Sequence, residues 1–175
     1  FKLVERDLSW FKNMKSDFLN KINSSFKGRV TLNKELANLS WLNVGGKASI
    51  FFKAEDLNDL LNFIRDMKKF NVNIKTIGAG SNLLIRDGGF KGAIIKLGKN
   101  FSNFSLTKDS MIISGTAALD KKLSQFALEN SLSGFEFLSC IPGSIGGGIR
   151  MNAGCYGREF KDTIVSVQAI DFSGK

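Results

Sequence analysis

Glycine is concentrated in one stretch near the end of the chain, CIPGSIGGGIRMNAGCYG, which covers residues 140–157. Six of the 18 glycines fall there, together with the single proline, Pro142. Glycine has no Cβ, so such a stretch lets another backbone or a ligand approach the main chain closely. The pattern predicts a long glycine-rich loop surface after a rigid turn, which serves either tight packing of two loops or binding of a flat ligand.

The first part of this stretch has the spacing of a phosphate-binding P-loop but lacks its functional residues. Gly143 and Gly148 match the two glycines of the P-loop pattern. Ile149 and Arg150 occupy the positions where the Lys and the Ser or Thr that contact phosphate and Mg²⁺ must stand. A P-loop site is therefore excluded, and Asn152 offers an amide that both donates and accepts hydrogen bonds.

A second glycine loop occurs earlier, at Gly78-Ala-Gly-Ser-Asn82. Successive backbone N–H groups in such a turn form a concave site for anions, and Ser81 and Asn82 add side-chain donors. The G-x-G-x-x-G fingerprint of dinucleotide-binding folds is not matched, because Leu83 replaces the third glycine and a strand is predicted to follow. An ordinary tight turn is the alternative, but two glycine loops in one small domain favour a ligand.

Hydrophobic periodicity divides the rest of the chain into strands and helices. Helical spacing is predicted for residues 1–30, for a helix that begins after Asp56, and for residues 119–130. Strands are predicted over residues 48–53, 72–77, 82–86, 93–97, 110–115 and 163–172. This mixture predicts an α+β or α/β fold.

Composition excludes several classes of function. The 175 residues contain no histidine, so Ser-His-Asp and Cys-His catalysis cannot be assembled from this chain. No apolar run approaches the length of a membrane span, and two cysteines in neither a metal nor a disulfide pattern predict a cytoplasmic protein with reduced thiols and no metal site. The net charge of +9 favours an anionic partner, but Lys and Arg are dispersed, so nucleic acid is not predicted.

Several motifs together resemble those of one family. They are SWLNVGGKA (40–48), GAGSNLLIRDGGFKGAIIKL (78–97), SGTA (114–117) and SGFEFLSCIPGSIGGGIRMNAGCYG (133–157), followed by Arg158-Glu159. In order and spacing they resemble the UDP-N-acetylenolpyruvoylglucosamine reductases, flavoenzymes of peptidoglycan precursor synthesis. The residues before 38 match this family only loosely.

The resemblance implies an α+β fold, a two-lobed FAD-binding domain of the vanillyl-alcohol-oxidase type. It divides the chain into an N-terminal helical arm (1–38), a first FAD-binding lobe (39–100) and a second lobe (101–175) that is incomplete at its end, with the third, substrate-binding lobe absent. It also implies non-covalent FAD, NADPH as co-substrate and a UDP-sugar substrate. The enzyme is expected to be monomeric and cytoplasmic, without a membrane or nucleic-acid partner.

The residues that the resemblance places around FAD come from three segments. The first surrounds the pyrophosphate, and the others flank the ribityl chain and the isoalloxazine ring. They are Gly78, Ala79, Gly80, Ser81, Asn82, Leu83, Gly115, Thr116, Ala117, Pro142, Gly143, Ser144, Ile145, Gly147, Gly148, Asn152 and Ala153. Catalytic residues are expected beyond Lys175.

Two positions depart from the family pattern. Cys140 stands where the family commonly has Gly, and Cys155 where it commonly has Ala; both are expected to be small buried residues. Two alternative functions stay open. One is another FAD-dependent oxidoreductase of the same fold, although covalent attachment of FAD through histidine is excluded here. The other is a non-catalytic module that binds nucleotides or nucleic acid.

Overall fold

The computed structural model describes residues 26–174, and the first part of the chain is built on a four-stranded mixed sheet. Its strands, in the spatial order β1-β2-β4-β3, are β1 (Arg29–Glu35), β2 (Lys47–Ala54), β3 (Ile74–Ile77) and β4 (Phe90–Leu97). β1 is antiparallel to β2, whereas β2 and β3 each pair in parallel with β4. The central strands β2 and β4 consist mostly of apolar residues and are largely buried, as expected for strands that pair in parallel.

Helix α1 (Leu57–Lys69) connects β2 to β3 and packs against the sheet. It begins as predicted because the Asp56 carboxylate accepts a hydrogen bond from the Asp59 N–H at 2.9 Å. Its apolar stripe points into the core, where the Phe63 ring stacks on Phe52 of β2 with centroids 4.1 Å apart. The helix that was predicted from its cap and its apolar periodicity is therefore confirmed.

The second part of the chain packs two helices, a 3₁₀ helix (Glu136–Cys140) and two short hairpins around a core of its own. The elements are β5 (Phe104–Leu106), β6 (Ile112–Ser114), α2 (Asp120–Glu129), α3 (Ile145–Met151), β7 (Gly154–Cys155) and β8 (Arg158–Glu159). β5 pairs with β6 and β7 with β8, both antiparallel. The buried residues of this core are Ala118, Leu123, Phe137, Leu138, Ile145 and Phe160. The predicted α+β fold is confirmed.

The N-terminal arm differs from the prediction where the structure describes it. Residues 29–35 were expected to belong to a helical arm over 1–38, but they form β1 because they pair with β2. The Asp59 carboxylate of α1 accepts a hydrogen bond from the Lys27 N–H at 3.0 Å, which holds the chain at the start of this strand. The helix predicted for the preceding residues lies outside the described part of the chain.

Two other predicted strands are wrong. Residues 82–86 form a loop, and the Arg86 carbonyl accepts a hydrogen bond from the Gly46 N–H at 3.0 Å instead of joining a sheet. Leu84 is 72% exposed, so its apolar side chain does not face a core. Residues 163–172 pair with none of the described strands. Alternating polarity supports a strand only where a neighbouring strand supplies the ladder of hydrogen bonds.

Candidate functional site

The three segments that were predicted to contact a cofactor lie side by side. A Cβ atom built on Gly78 would overlap Ser144 Oγ, so the first glycine loop touches the start of α3. The Gly146 N–H donates to the Thr116 carbonyl at 2.8 Å, which joins the middle segment to the same end of that helix. We define the three-loop site as residues 78–83, 115–117 and 142–148.

Gly80 fixes the backbone of the first loop. It is buried and has a φ of +81°, which L side chains rarely adopt. Its carbonyl accepts a hydrogen bond from the Trp41 N–H at 3.1 Å, and a Cβ at this position would overlap the Leu39 carbonyl oxygen. Only glycine fits without moving the neighbouring backbone. Trp41 lies beside this loop and is 61% exposed, and no function was predicted for it.

The same loop carries a run of unused hydrogen-bond donors. The backbone N–H groups of residues 79–83 donate to no other residue in the described part of the chain. The side chains of Ser81 and Asn82 likewise have no hydrogen-bond partner among the described residues. A held backbone with several unpaired donors is what an anion-binding loop requires.

The glycine-rich stretch that was predicted to be a loop contains helix α3. Glycine is a poor helix former, so sequence propensity opposed this outcome. A Cβ on Gly148 would overlap the Phe160 ring, and a Cβ on Gly146 would lie 3.1 Å from the Thr116 carbonyl oxygen. These two glycines are therefore explained by close packing, which overrides helix propensity.

Gly147 differs from the two glycines that flank it. A Cβ on Gly147 would have one described neighbour within 4 Å, Ser144 Oγ at 3.5 Å, which is an ordinary van der Waals distance. Alanine at such a helical position is more favourable than glycine by about 1 kcal/mol. Packing among the described residues does not explain glycine at this position. The surface beside the first turn of α3 is open to a ligand there.

The middle segment is anchored to the carbonyl group of Phe101. The Ala117 N–H donates to this carbonyl at 2.9 Å, and a Cβ on Gly115 would overlap the same oxygen. Gly115 is therefore required by packing, whereas Thr116 is half-buried and uses its carbonyl to hold α3.

Asn152 and Ala153 close α3 and lead into β7. Asn152 adopts a left-handed conformation with φ of +46° at the end of the helix. Its Nδ2 donates to Glu159 Oε2 at 2.8 Å, and its Oδ1 accepts from the Lys161 N–H at 3.0 Å. Because both ends of the amide are engaged within the protein, contact of these two residues with a cofactor stays a prediction.

Asp120 is a residue of this region that sequence reasoning missed. It begins α2 and is fully buried, and its Oδ2 atom would lie 2.5 Å from a Cβ on Gly143. Neither carboxylate oxygen has a hydrogen-bond partner among the described residues. Burial raises the pKa of Asp120 to about 6. An acidic residue at a helix start is common, so the sequence alone does not distinguish a buried carboxylate from an exposed one.

Ionisation of Asp120 is expected to destabilise the folded protein. Its pKa rises from 3.8 to about 6 on folding, so the folded state binds this proton more tightly than the unfolded state. The contribution of Asp120 to stability is therefore most favourable at low pH and falls as pH rises through this window, by about 3 kcal/mol in total. Above the folded pKa the full penalty is present.

Asp120→Asn tests this pH dependence in denaturant unfolding of the full-length protein at about pH 4 and about pH 7.5. The unfolding free energy of the variant, relative to the native protein, is expected to rise by about 2.5 kcal/mol from the lower to the higher pH, because part of the unfolded-state Asp120 is already ionised at about pH 4. The matched control is Asp109→Asn, because Asp109 is exposed and its replacement removes no buried carboxylate. Equal pH dependence in both variants would contradict the assignment.

The two cysteines are nearer the surface than predicted. Cys140 is exposed at the end of the 3₁₀ helix, and Cys155 is only partly buried in β7, so the expectation of two buried residues was wrong. Neither position is enclosed by the second core, although Cys155 packs against its edge.

Two kinds of feature are missing from the described residues. No group of three or more His, Cys, Asp or Glu side chains is placed to hold a metal ion there. None of the helices described between residues 26 and 174 has the length and apolar character needed to cross a membrane.

Comparison with known proteins shows the family to which this chain belongs. The model of the FAD binding domain family matches residues 48–175. The UDP-N-acetylenolpyruvoylglucosamine reductase of Pelagibacter ubique is 48% identical over 164 residues, which span 93% of this chain and 53% of the relative. The enzyme of the same name from Rickettsia bellii is 51% identical over 148 residues, 85% of this chain and 49% of the relative.

A solved structure supports the same conclusion. The crystal structure of UDP-N-acetylenolpyruvylglucosamine reductase from Thermus caldophilus superimposes with a TM-score of 0.61 at 30% identity, over 76% of this chain and 45% of that one. The chain thus spans about half the length of the relatives that it matches. The chain belongs to the FAD binding domain family, and its curated homologues are UDP-N-acetylenolpyruvoylglucosamine reductases.

Proposed function

We propose that this chain provides the FAD-binding part of a cytoplasmic, monomeric, NADPH-dependent reductase. The substrate is the UDP-sugar UDP-N-acetylglucosamine enolpyruvate, whose enolpyruvyl group is reduced to give UDP-N-acetylmuramate. Membership of the FAD binding domain family and the names of the relatives support this assignment. Neither nucleic acid nor a membrane is proposed as a partner.

The open position at Gly147 is the observation that carries the cofactor part of the proposal. It is a helical glycine with room for a Cβ, and it lies beside Ser144, which in turn contacts Gly78 of the first loop. A ligand with a flat ring or an extended chain lies against such a position without meeting side-chain bulk. FAD bound there would supply the acceptance and donation of hydride.

The unpaired donors of the first loop suit the anionic end of the same cofactor. The N–H groups of residues 79–83, with the side chains of Ser81 and Asn82, would hold the pyrophosphate. The remaining residues would flank the rest of the cofactor and exclude water from it. These are Gly115, Thr116, Ala117, Pro142, Gly143, Ser144, Ile145, Gly147, Gly148, Asn152 and Ala153.

Two carboxylates that flank the glycine-rich stretch along the chain are held in the ionised form by hydrogen bonds. A hydrogen bond from Lys161, and a second one from Asn152, lower the pKa of Glu159. The Gly134 N–H donates to Glu136, which lowers the pKa of that side chain as well. Neither group is suited to donate a proton near neutral pH, so we assign no catalytic role to these two carboxylates.

The net charge of the chain suits a substrate that carries a diphosphate and a carboxylate. At +9, the charge raises the local concentration of anionic ligands at low ionic strength. The described residues are therefore proposed to bind and orient FAD and the substrate. The chemical groups that complete the reaction are proposed to lie outside this chain.

Turnover by the full-length protein tests the assignment directly. The purified protein is expected to carry yellow flavin that heat denaturation releases, which shows non-covalent binding. Under anaerobic conditions NADPH should bleach the flavin, and UDP-N-acetylglucosamine enolpyruvate should restore its colour and yield UDP-N-acetylmuramate by mass spectrometry. Flavin that is reoxidised by other substrates alone would favour another oxidoreductase of this fold. A colourless protein that binds DNA with a steep salt dependence would favour a nucleic-acid module.

Gly147→Ala tests the position of the cofactor. The substitution is expected to raise the unfolding free energy of the FAD-free protein by about 0.5–1 kcal/mol, because alanine favours the helix. It should weaken FAD binding by about tenfold or more, since the new methyl group occupies the open surface; a tenfold change corresponds to about 1.4 kcal/mol. Thermal unfolding of the apoprotein and titration with FAD measure the two effects. Unchanged FAD affinity would place the cofactor elsewhere.

A further inference from the structure

The two cysteines lie together at opposite ends of the glycine-rich stretch. Cys140 ends the 3₁₀ helix and Cys155 ends β7, and these two elements pack against each other. The side chains of Tyr156 and Cys155 lie close enough to interact with the Cys140 thiol. Both cysteines are free thiols, and Cys140 is exposed to solvent.

The backbone around this pair is held from both sides. Arg158 Nη1 donates to the Gly134 carbonyl at 3.2 Å, which ties β8 to the residues before the 3₁₀ helix. The buried rings of Phe137 and Phe160 meet edge to face with centroids 6.0 Å apart. These contacts lie before Cys140 and after Cys155 along the chain, and they hold together the two segments that carry the cysteines.

The surroundings of Cys140 favour a reactive thiolate. Ser139 Oγ lies 3.6 Å from Cys140 Sγ, and the hydrogen bonds of this thiol with Ser139 and then with Tyr156 lower its pKa. The interaction with Cys140 correspondingly raises the pKa of Tyr156. A thiolate that is exposed, stabilised and beside a second thiol has the features of a redox-sensitive cysteine.

We propose that Cys140 and Cys155 form a thiol–disulfide exchange site that takes low-molecular-weight disulfides, with Cys140 as the attacking group and Cys155 as the resolving group. This site goes beyond the proposed reductase function and does not depend on it. Disulfides are rare in cytoplasmic proteins, but transient redox-sensing pairs are among the exceptions.

The exchange balances in two steps. The Cys140 thiolate attacks one sulfur of a small disulfide RSSR, so a Cys140–S–S–R bond forms and RS⁻ leaves. The Cys155 thiolate then attacks Cys140 Sγ, forming the Cys140–Cys155 disulfide and releasing the second RS⁻. The protein loses two electrons and its two thiol protons, and RSSR is reduced to two RSH.

The resulting bond would join the two ends of a segment that contains α3 and residues 142–148 of the three-loop site. Cys140 stands two residues before Pro142, and Cys155 two residues after Ala153. The oxidised form therefore closes a covalent loop around the open position at Gly147, which is a direct route by which oxidation would alter ligand binding there.

Oxidised glutathione is the probe for this proposal, used with the full-length protein. The native protein is expected to lose the mass of two hydrogen atoms, and peptide mapping should recover Cys140 linked to Cys155. Cys155→Ser should instead accumulate one glutathionyl group on Cys140. Cys140→Ser should react at least tenfold more slowly at Cys155. Dithiothreitol should reverse each modification.

Tyr156→Phe tests whether the surroundings of Cys140 activate its thiol, or whether the two thiols are only neighbours. The pH at which Cys140 alkylation by iodoacetamide is half-maximal should rise, because the thiolate loses a hydrogen-bond donor. Circular dichroism and the flavin content of each variant report whether it is folded. In folded variants, alkylation of Cys140 no faster than that of Cys155, or a stable glutathionyl adduct on the native protein, would overturn the proposal.

Discussion

Gly80→Ala is expected to lower the affinity for FAD by at least about 100-fold and to destabilise the fold by about 3 kcal/mol. Two costs combine at this position. The φ of +81° disfavours any L side chain by about 1–2 kcal/mol, and the new Cβ overlaps the Leu39 carbonyl oxygen. Because that oxygen belongs to the backbone, relief of the overlap requires movement of the segment that carries Trp41 and of residues 78–83.

The measurements are FAD titration and denaturant unfolding of the full-length protein, with two glycine controls. Gly88→Ala has no atom within 4 Å of the new Cβ and no positive φ, so its stability should change by less than about 0.5 kcal/mol. Gly157→Ala has a φ of +77° but open space, so it isolates the backbone strain at about 1 kcal/mol. If Gly80→Ala behaves like Gly157→Ala, the overlap with Leu39 is unimportant and the proposed rigidity of the loop is wrong.

Gly148→Ala is expected to destabilise the second core by about 2–3 kcal/mol, a net loss despite the better helix propensity of alanine. The new Cβ would overlap the Phe160 ring, whose side chain is 3% exposed and cannot swing into solvent without opening the core. The melting temperature should fall by several degrees, since each kcal/mol corresponds to about 2–4 °C in a protein of this size class.

A double-mutant cycle identifies the cause of this loss. Phe160→Leu removes ring atoms that meet the new methyl group, so the combination with Gly148→Ala should be less destabilising than the sum of the two single changes. Gly147→Ala, at the preceding position of the same helix, should change stability in the opposite direction. Strict additivity of Gly148→Ala and Phe160→Leu would show that the strain arises elsewhere.

Elements with local signals were predictable from the sequence. The Asp56 cap and the apolar stripe that follows it predicted α1, and the apolar runs predicted β2 and β4. The family and its FAD-binding character were also accessible, because the motifs around Gly78 and Pro142 occur in a specific order and spacing. These features depend on residues that are close in sequence.

Elements that depend on distant partners were missed. The three glycines of α3 disfavour a helix. The close packing of Gly148 on Phe160 and of Gly146 on Thr116, where a Cβ would not fit, explains why glycine is found there. Residues 29–35 form a strand because β2 pairs with them, whereas residues 163–172 alternate in polarity but pair with no described strand. Periodicity reports which face is apolar, but it does not report whether a partner is present.

The sequence by itself determined that this protein has two glycine-rich segments that match neither a P-loop nor a Rossmann fingerprint, and that the chain belongs to an FAD-binding family. Only the tertiary structure decided that these loops meet at Gly78 and Ser144, that Asp120 is buried behind Gly143, and that Cys140 lies beside Cys155. The physical reason is the distance along the chain over which each interaction acts. Propensity, capping and motif spacing act within a few residues, whereas burial and contact depend on which distant segments the folded core brings together.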